Sequence, residues 1–368
     1  MSDNLNIFNT SKTQAEYRQT PLFLGPEPGL FDTVNKQYPE IWALYKEMKA
    51  LDWDEGEFDY GQCLTEFASV DPDIADMMIE TLAYQWEADS VASRAIAPIL
   101  APFISSSEAW ALYQRISDNE VIHAATYSEI IRLSFKDPAT VLERILAVKE
   151  ATTRMETVNA IFQETYIASH EYALGKREAD QDLYNLLYTF IATLFIMERV
   201  QFMASFGITF TITGAGMFQP VEMAVKKIAQ DELELHVETG RAVLAIEHRT
   251  ERGQIAREQC KERITQVFHE VVQSEMDNLD FLFRGGRKLL GTNIAKCKEW
   301  VLFNAKDPVV TLGLDSHLKF PDANPMKHLE SRLNMNKNQS APQEQDNAAY
   351  KVGVVINDDA GKIYPVNF

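Results

Sequence analysis

Apolar residues along this chain recur at helical spacing in long blocks, punctuated by proline, glycine and acidic positions. Residues 1–35 carry Pro21, Pro26, Pro28 and Gly29 with little periodicity and read as an extended arm. A short amphipathic helix is expected over 39–51, with Ile41, Leu44, Tyr45 and Met48 on one face. Asp71 before Pro72 reads as an N-cap followed by proline at the first helical position. It opens a helix that Pro98 and Pro102 end near Ala97. Ser105 with Glu108 reads as a capping box for the next helix, which runs to about Phe135. Long helical patterns then cover about 139–174, broken near Glu150 and capped by Gly175, followed by about 180–212, 219–248 and 255–284. No alternating strand pattern with turn chemistry lies among them, so the expected class is all-α.

Helices of about thirty residues far exceed the globular mean of about eleven or twelve, and they need partners along their whole length. A bundle supplies those partners. A coiled coil is excluded because no a/d heptad is sustained with e/g charges. The most apolar stretch, Leu187 to Phe218, is interrupted by Glu198, Arg199 and Gln201, so it reads as a buried helix and no membrane contact is expected. The beginning, Met1-Ser2-Asp3-Asn4, shows no secretory pattern, and Cys63, Cys260 and Cys297 form no CxxC motif. A reducing, cytoplasmic location is the expectation. A hydrophobic content of 46% and a charged content of 24% are those of an ordinary globular protein. The net charge of −19 argues against nucleic-acid binding, which needs basic patches to neutralise phosphates.

The composition changes after about Phe320. The expected division is a helical domain with its N-terminal arm over 1–325 and a flexible tail over 326–368. Within the tail, Asn334 to Ala348 is rich in Asn, Gln, Pro and Ser, as linkers are. Tyr350, Val352, Val354, Val355, Ile356, Tyr364, Val366 and Phe368 then restore apolar character. A flexible tail with an apolar tip captures a partner; the blander reading is a short terminal strand or a free end.

The chemistry lies in polar groups placed where helices bury apolar faces. Glu120 and His123 form an E-x-x-H pair, and three residues on an α-helix return to within about 60°, so both point the same way. One such pair is common by chance. A second segment, Asp231-Glu232-Leu233-Glu234-Leu235-His236, adds weight, as do Glu198 in an apolar run and Asp89 after Tyr84, Gln85 and Trp86. Four helices thus offer carboxylates and two add a histidine, the inventory of ferritin-like di-metal carboxylate bundles. Four carboxylates neutralise two divalent ions, and two imidazoles complete the coordination without excess charge. The competing reading is a set of solvated surface acids, against which Phe195, Phe202 and Phe206 flank Glu198 on its own helix. Glu232 precedes His236 by four residues where the simple template has three, with Leu233 at the template position. Four residues still share a face to within about 40°, a π-bulge could absorb the extra residue, and Glu232 is favoured over Glu234.

The string Asp118-Asn119-Glu120-Val121-Ile122-His123-Ala124-Ala125-Thr126-Tyr127 resembles the E-x-x-H-x-x-x-Y signature of the class I ribonucleotide reductase small subunit. Tyr84-Gln85 before Asp89-Ser90, Glu198 with Phe202 and Phe206, Ile228 to Glu232, and Ala349 to Gly353 extend the resemblance over nearly the whole chain. It implies that Asp89, Glu120 and His123 bind one metal ion and that Glu198, Glu232 and His236 bind the other. It implies a radical stored on Tyr127, shielded by Phe202, Phe206 and Ile228. Radical transfer would use Trp53, Asp231 as its link to His123, and Tyr350 in the tail. Two iron ions are implied, with manganese also suited to these ligands. A homodimer that docks a nucleotide-reducing large subunit through the C-terminal tail completes the expectation. A di-iron oxidase or oxygenase of the same fold would share the ligands but has no use for Tyr127 or Tyr350. An iron-storage bundle would be much shorter, and a metal-free structural dimer would bear the cost of buried acids.

Overall fold

The structure is a computed structural model that describes residues 19–26 and 30–333. Among these residues the backbone is helical apart from loops and one isolated bridge between Phe23 and Ile104. Of the expected tail, residues 334–368, including Tyr350, lie outside the described residues, as does most of the N-terminal arm, whereas Met326 and Leu329 at its start are buried against the bundle. The first elements are α1 (Pro39–Ala50), α2 (Gly61–Ser69), α3 (Pro72–Leu100) and α4 (Ser107–Ser134). A broken run follows, α5 (Pro138–Leu146), α6 (Lys149–Arg154) and α7 (Glu156–Ala173), which Gly175 closes in the left-handed conformation at φ 66°.

Two interrupted helices come next. The first is α8 (Gln181–Ile196), a π-turn over Met197–Gln201 and α9 (Met203–Gly214). The second is α10 (Gln219–Gln230), a π-turn over Asp231–His236 and α11 (Val237–Glu247). Then follow α12 (Glu251–Gln259), α13 (Lys261–Leu282), α14 (Ile294–Leu312) and the short α15 (Glu330–Leu333). The long pair α3 and α4 packs together, α9 packs against α3, and the two π-turns touch each other. The segment Gln181–Gly214 is apolar and long enough to cross a membrane, yet 94% of its most apolar window is buried inside the fold. It is the core helix of the bundle.

Several local expectations are corrected. Asp71 caps α3 as expected, but the helix runs past Pro98 to Leu100, because a proline in the last turn removes only one donor. The N-cap of α4 is Ser106, whose side chain accepts from the Ala109 N–H. Ser105 Oγ instead donates to the Pro21 carbonyl and accepts from Gly25 N–H, while Glu108 accepts from Gln37 and Tyr38. Ser105 and Glu108 thus tie the arm to the bundle and form no capping box. The pattern over 255–284 begins earlier, at Glu251, and breaks at Cys260. Helix α14, which carries Pro308 inside, was not expected at all.

Candidate metal centre

Glu120, His123 and Tyr127 stand on α4 three and four residues apart, which stacks them on one face of the helix. That face is turned inward, and all three side chains are fully buried. Asp89 meets them from α3, also fully buried. Glu198 comes from the first π-turn, and Asp231, Glu232 and His236 from the second. The four-residue spacing of Glu232 and His236 is taken up by this second π-turn, so both side chains join the same buried group of donors. Glu234 is half-buried and stands outside the donor groups that contain Glu232.

The donors form two adjoining groups, Asp89, Glu120, His123 and Glu232, and Glu120, Glu198, Glu232 and His236, with ligand atoms in each within 4.8 Å of one another. Glu120 and Glu232 belong to both. Glu232 Oε1 lies 3.0 Å from His123 Nδ1 and its Oε2 lies 3.0 Å from His236 Nδ1. Glu120 Oε2 lies 3.6 Å from His123 Nδ1 and its Oε1 lies 3.4 Å from His236 Nδ1. Asp89 stands at the His123 end, 3.9 Å from Nδ1, and Glu198 at the His236 end, also 3.9 Å from Nδ1.

Both oxygens of Asp89, Glu120 and Glu198 are buried without a hydrogen-bond partner, as are Glu232 Oε1 and His123 Nδ1. Uncompensated acceptors at this density are costly in a dry interior, and cations are what would satisfy them. The donor set fits two divalent ions that prefer oxygen and imidazole ligands.

The electrostatics record the crowding. Burial pushes the Asp89 carboxyl well above the usual range, helped by the Glu120 and Glu232 charges. Glu198 is raised the same way, by burial and then by Glu232. Burial would raise Glu232 too, but His236, Glu198 and His123 together hold it well below the usual value. Both imidazoles rise against the effect of burial. The hydrogen bond to Asp231 and the neighbouring Glu120 and Glu232 carboxylates hold His123 well above its ordinary value, and Glu232 with Glu120 brings His236 to about 9.

Beside the donors, the Tyr127 hydroxyl is buried with no hydrogen-bond partner. Burial, with the charges of Asp89, Glu232 and Glu120, pushes its ionisation well above that of a free phenol. Phe202, Phe206 and Ile228 are fully buried, with the two phenyl rings stacked at 5.8 Å. Asp231 Oδ2 accepts the Trp53 indole N–H at 2.8 Å and lies 3.1 Å from His123 Nε2. Trp53, Asp231 and His123 therefore form one buried chain, with the indole and imidazole stacked at 5.9 Å.

The π-turn that carries Glu198 was not legible in the sequence, nor were Arg154 and Glu275, which pack against it with Tyr84. A signal was present for one of them. Glu275 falls on the core stripe of α13, four residues from both Val271 and Leu279, where an acid is out of place.

A helical bundle with adjoining buried carboxylate–histidine groups is a ferritin-like fold with a core compatible with a pair of metal ions. The family model described as "Ribonucleotide reductase, small chain" matches residues 30–325, and the chain belongs to that family of oxidoreductase subunits. It is 25% identical to the ribonucleoside-diphosphate reductase 1 subunit beta of Salmonella typhimurium, covering 94% of this chain and 95% of that one. It is 23% identical to the ribonucleoside-diphosphate reductase subunit beta of phage T4, over 97% of each. Among solved structures, a ribonucleotide reductase R2 subunit from Clostridium botulinum shares the fold with a TM-score of 0.76 at 16% identity, covering 89% of this chain and 98% of that one. The dimanganese(II)-NrdF of Streptococcus sanguinis shares it with a TM-score of 0.62 at 13% identity, covering 82% and 98%. A small chain implies a large-chain partner.

Proposed function

We propose that this chain is the radical-generating subunit of a ribonucleoside-diphosphate reductase, holding two iron or manganese ions. Asp89 and His123 would hold one ion and Glu198 and His236 the other. Glu120 and Glu232 would bridge them. The observation that carries this reading is the straddling of both bridging carboxylates, each with one oxygen toward His123 and the other toward His236. When bound, such a metal pair supplies the oxidising power that, with dioxygen, takes a hydrogen atom from a phenol.

Tyr127 is the donor of that hydrogen atom. Its raised ionisation keeps the phenol neutral, with the O–H intact, at physiological pH. Phe202, Phe206 and Ile228 keep water from the resulting radical. Asp231 accepts the Nε2–H of His123, which fixes the tautomer and turns the Nδ1 lone pair toward the donor cluster. The same carboxylate holds the Trp53 indole, and His123, Asp231 and Trp53 provide the route by which the oxidising equivalent leaves the site. Onward transfer through Tyr350 to a large subunit, with the tail as docking segment and a homodimer as the working form, belongs to this proposal.

One observation favours this reading over an oxygenase acting on an organic substrate. The cavity that reaches Glu198 and His236, lined also by Tyr113, Phe195 and Gly240, measures about 10 Å³. That is at the lower limit for a single water and far too small for an organic substrate.

The test is aerobic loading of the apoprotein with ferrous iron, followed by electron paramagnetic resonance. A tyrosyl signal is expected in the wild type and none in Tyr127→Phe, at unchanged iron content. An undiminished signal in the variant would sink the reading.

A further inference from the structure

A π-turn carries one more residue than the regular helix allows, so peptide groups near it must find partners elsewhere. At the exit of the Met197–Gln201 turn those partners are side chains from two distant helices. Arg154, at the end of α6, donates from Nη2 to the Gln201 carbonyl at 2.6 Å. The Gln201 side chain answers by donating from Nε2 to the Arg154 carbonyl, also at 2.6 Å. Arg154 Nη1 donates to Ser205 Oγ at 3.1 Å. Glu275 on α13 pairs with Arg154 Nε through one oxygen and accepts the Ala204 N–H through the other at 3.3 Å. Both members of this ion pair are buried, Arg154 at 3% exposure and Glu275 at 0%.

The guanidinium carbon also lies over the Tyr84 ring, 3.4 Å from its centroid. Tyr84 is on α3, ahead of Asp89, and its ring contacts that of Phe202 at 6.2 Å. The planar fork of one arginine therefore joins the π-turn to α3 and α13, an arrangement that a point-charge lysine cannot reproduce.

We infer that Arg154 and Glu275 are positioning residues that hold the Met197–Gln201 π-turn in the form that aims Glu198 at the His236 end of the metal centre. This rests on the proposal that Glu198 is a metal ligand. The ion pair touches no donor itself. It acts through the backbone three residues beyond Glu198, and among the described residues no buried ion pair holds the backbone around Asp89, which sits on unbroken helix. The expected consequence is selective: weakening the clamp weakens the Glu198 side of the centre and leaves the Asp89 side alone.

The experiment is titration of the full-length apoprotein with manganese(II), counting free ion by its six-line resonance. Asp89→Ala and Glu198→Ala give two backgrounds, each keeping one end of the centre. Arg154→Lys preserves the charge opposite Glu275, and with it the fold, while removing the fork. In the Asp89→Ala background it is expected to weaken the remaining ion by about 10- to 100-fold, the range seen when groups supporting a ligand are lost. In the Glu198→Ala background it is expected to change nothing. The double replacement Arg154→Met with Glu275→Leu leaves no unpaired buried charge and is expected to show the same selectivity with an intact helical spectrum.

If either folded variant binds manganese as its background does at the Glu198 end, the inference is overturned. Equal losses at both ends overturn it as well, since they indicate a general structural role. Failure of Glu198→Ala itself to reduce the bound manganese in wild-type protein would instead overturn the ligand assignment beneath it.

Discussion

Apart from the shared Glu120 and Glu232, the donors of the His123 end, Asp89 and His123, stand on regular helix, α3 and α4, and the far nitrogen of the imidazole is engaged by Asp231. Those of the His236 end, Glu198 and His236, stand on two π-turns, and the far nitrogen of that imidazole has no hydrogen-bond partner. The first end is set by helix periodicity and one supporting carboxylate. The second is set by helix defects that need distant groups to stabilise them. Two ends with the same ligand chemistry thus depend on different parts of the chain, and substitutions can tell them apart.

The largest effect is expected where the two ends share a residue. Glu232→Ala removes an oxygen from each and should abolish stable binding of both ions, whereas Glu234→Ala should leave two bound; metal analysis after gel filtration decides between them. Next comes the support of the second end. Arg154→Ala strands Glu275 in the interior and should cost about 3–5 kcal/mol in urea unfolding. The exposed pair Arg263–Glu164, on the far part of α13, provides the contrast, and Arg263→Ala should cost about 1 kcal/mol or less.

Asp231→Ala would make the two ends alike by freeing His123 Nε2. It should weaken manganese at the His123 end by about 10- to 100-fold while sparing the other, read in the Glu198→Ala and Asp89→Ala backgrounds. A smaller effect, shared by both ends, follows from protonation. His236 titrates at about 9 in the metal-free protein, and His123 is also raised. Below that pH a cation must displace protons, so uptake should tighten steadily as pH rises toward about 9. A proton-release assay during loading checks this, and uptake that weakens with rising pH would contradict it.

The regular end was the more legible from sequence. Glu120 and His123 announce themselves by spacing on an amphipathic helix, Asp89 by following Tyr84, Gln85 and Trp86 in a long one, and Tyr127 through the family resemblance. At the other end the single surplus residue between Glu232 and His236 was visible, and a π-bulge is what absorbs it. The turn around Glu198 left no such mark, because nothing in Met197-Glu198-Arg199-Val200-Gln201 departs from an ordinary helical string. Arg154 and Glu275 are 121 residues apart, and their pairing is a product of the tertiary fold alone. The misplaced cap of α4 has a local cause, since Ser105 and Ser106 both suit an N-cap and the arm claims the first.

The apolar segment Gln181–Gly214 carries a consequence for biogenesis. Part of its cover is α14, which follows it in the chain by a long interval: Trp300 donates its indole N–H to the Met203 carbonyl at 3.0 Å and lies against Gly207. A ribosome-bound chain therefore exposes part of this greasy span until α14 has emerged, an interval in which aggregation competes with folding. Chaperone dependence during synthesis, and insolubility of any fragment ending before Ile294, follow from that order of events.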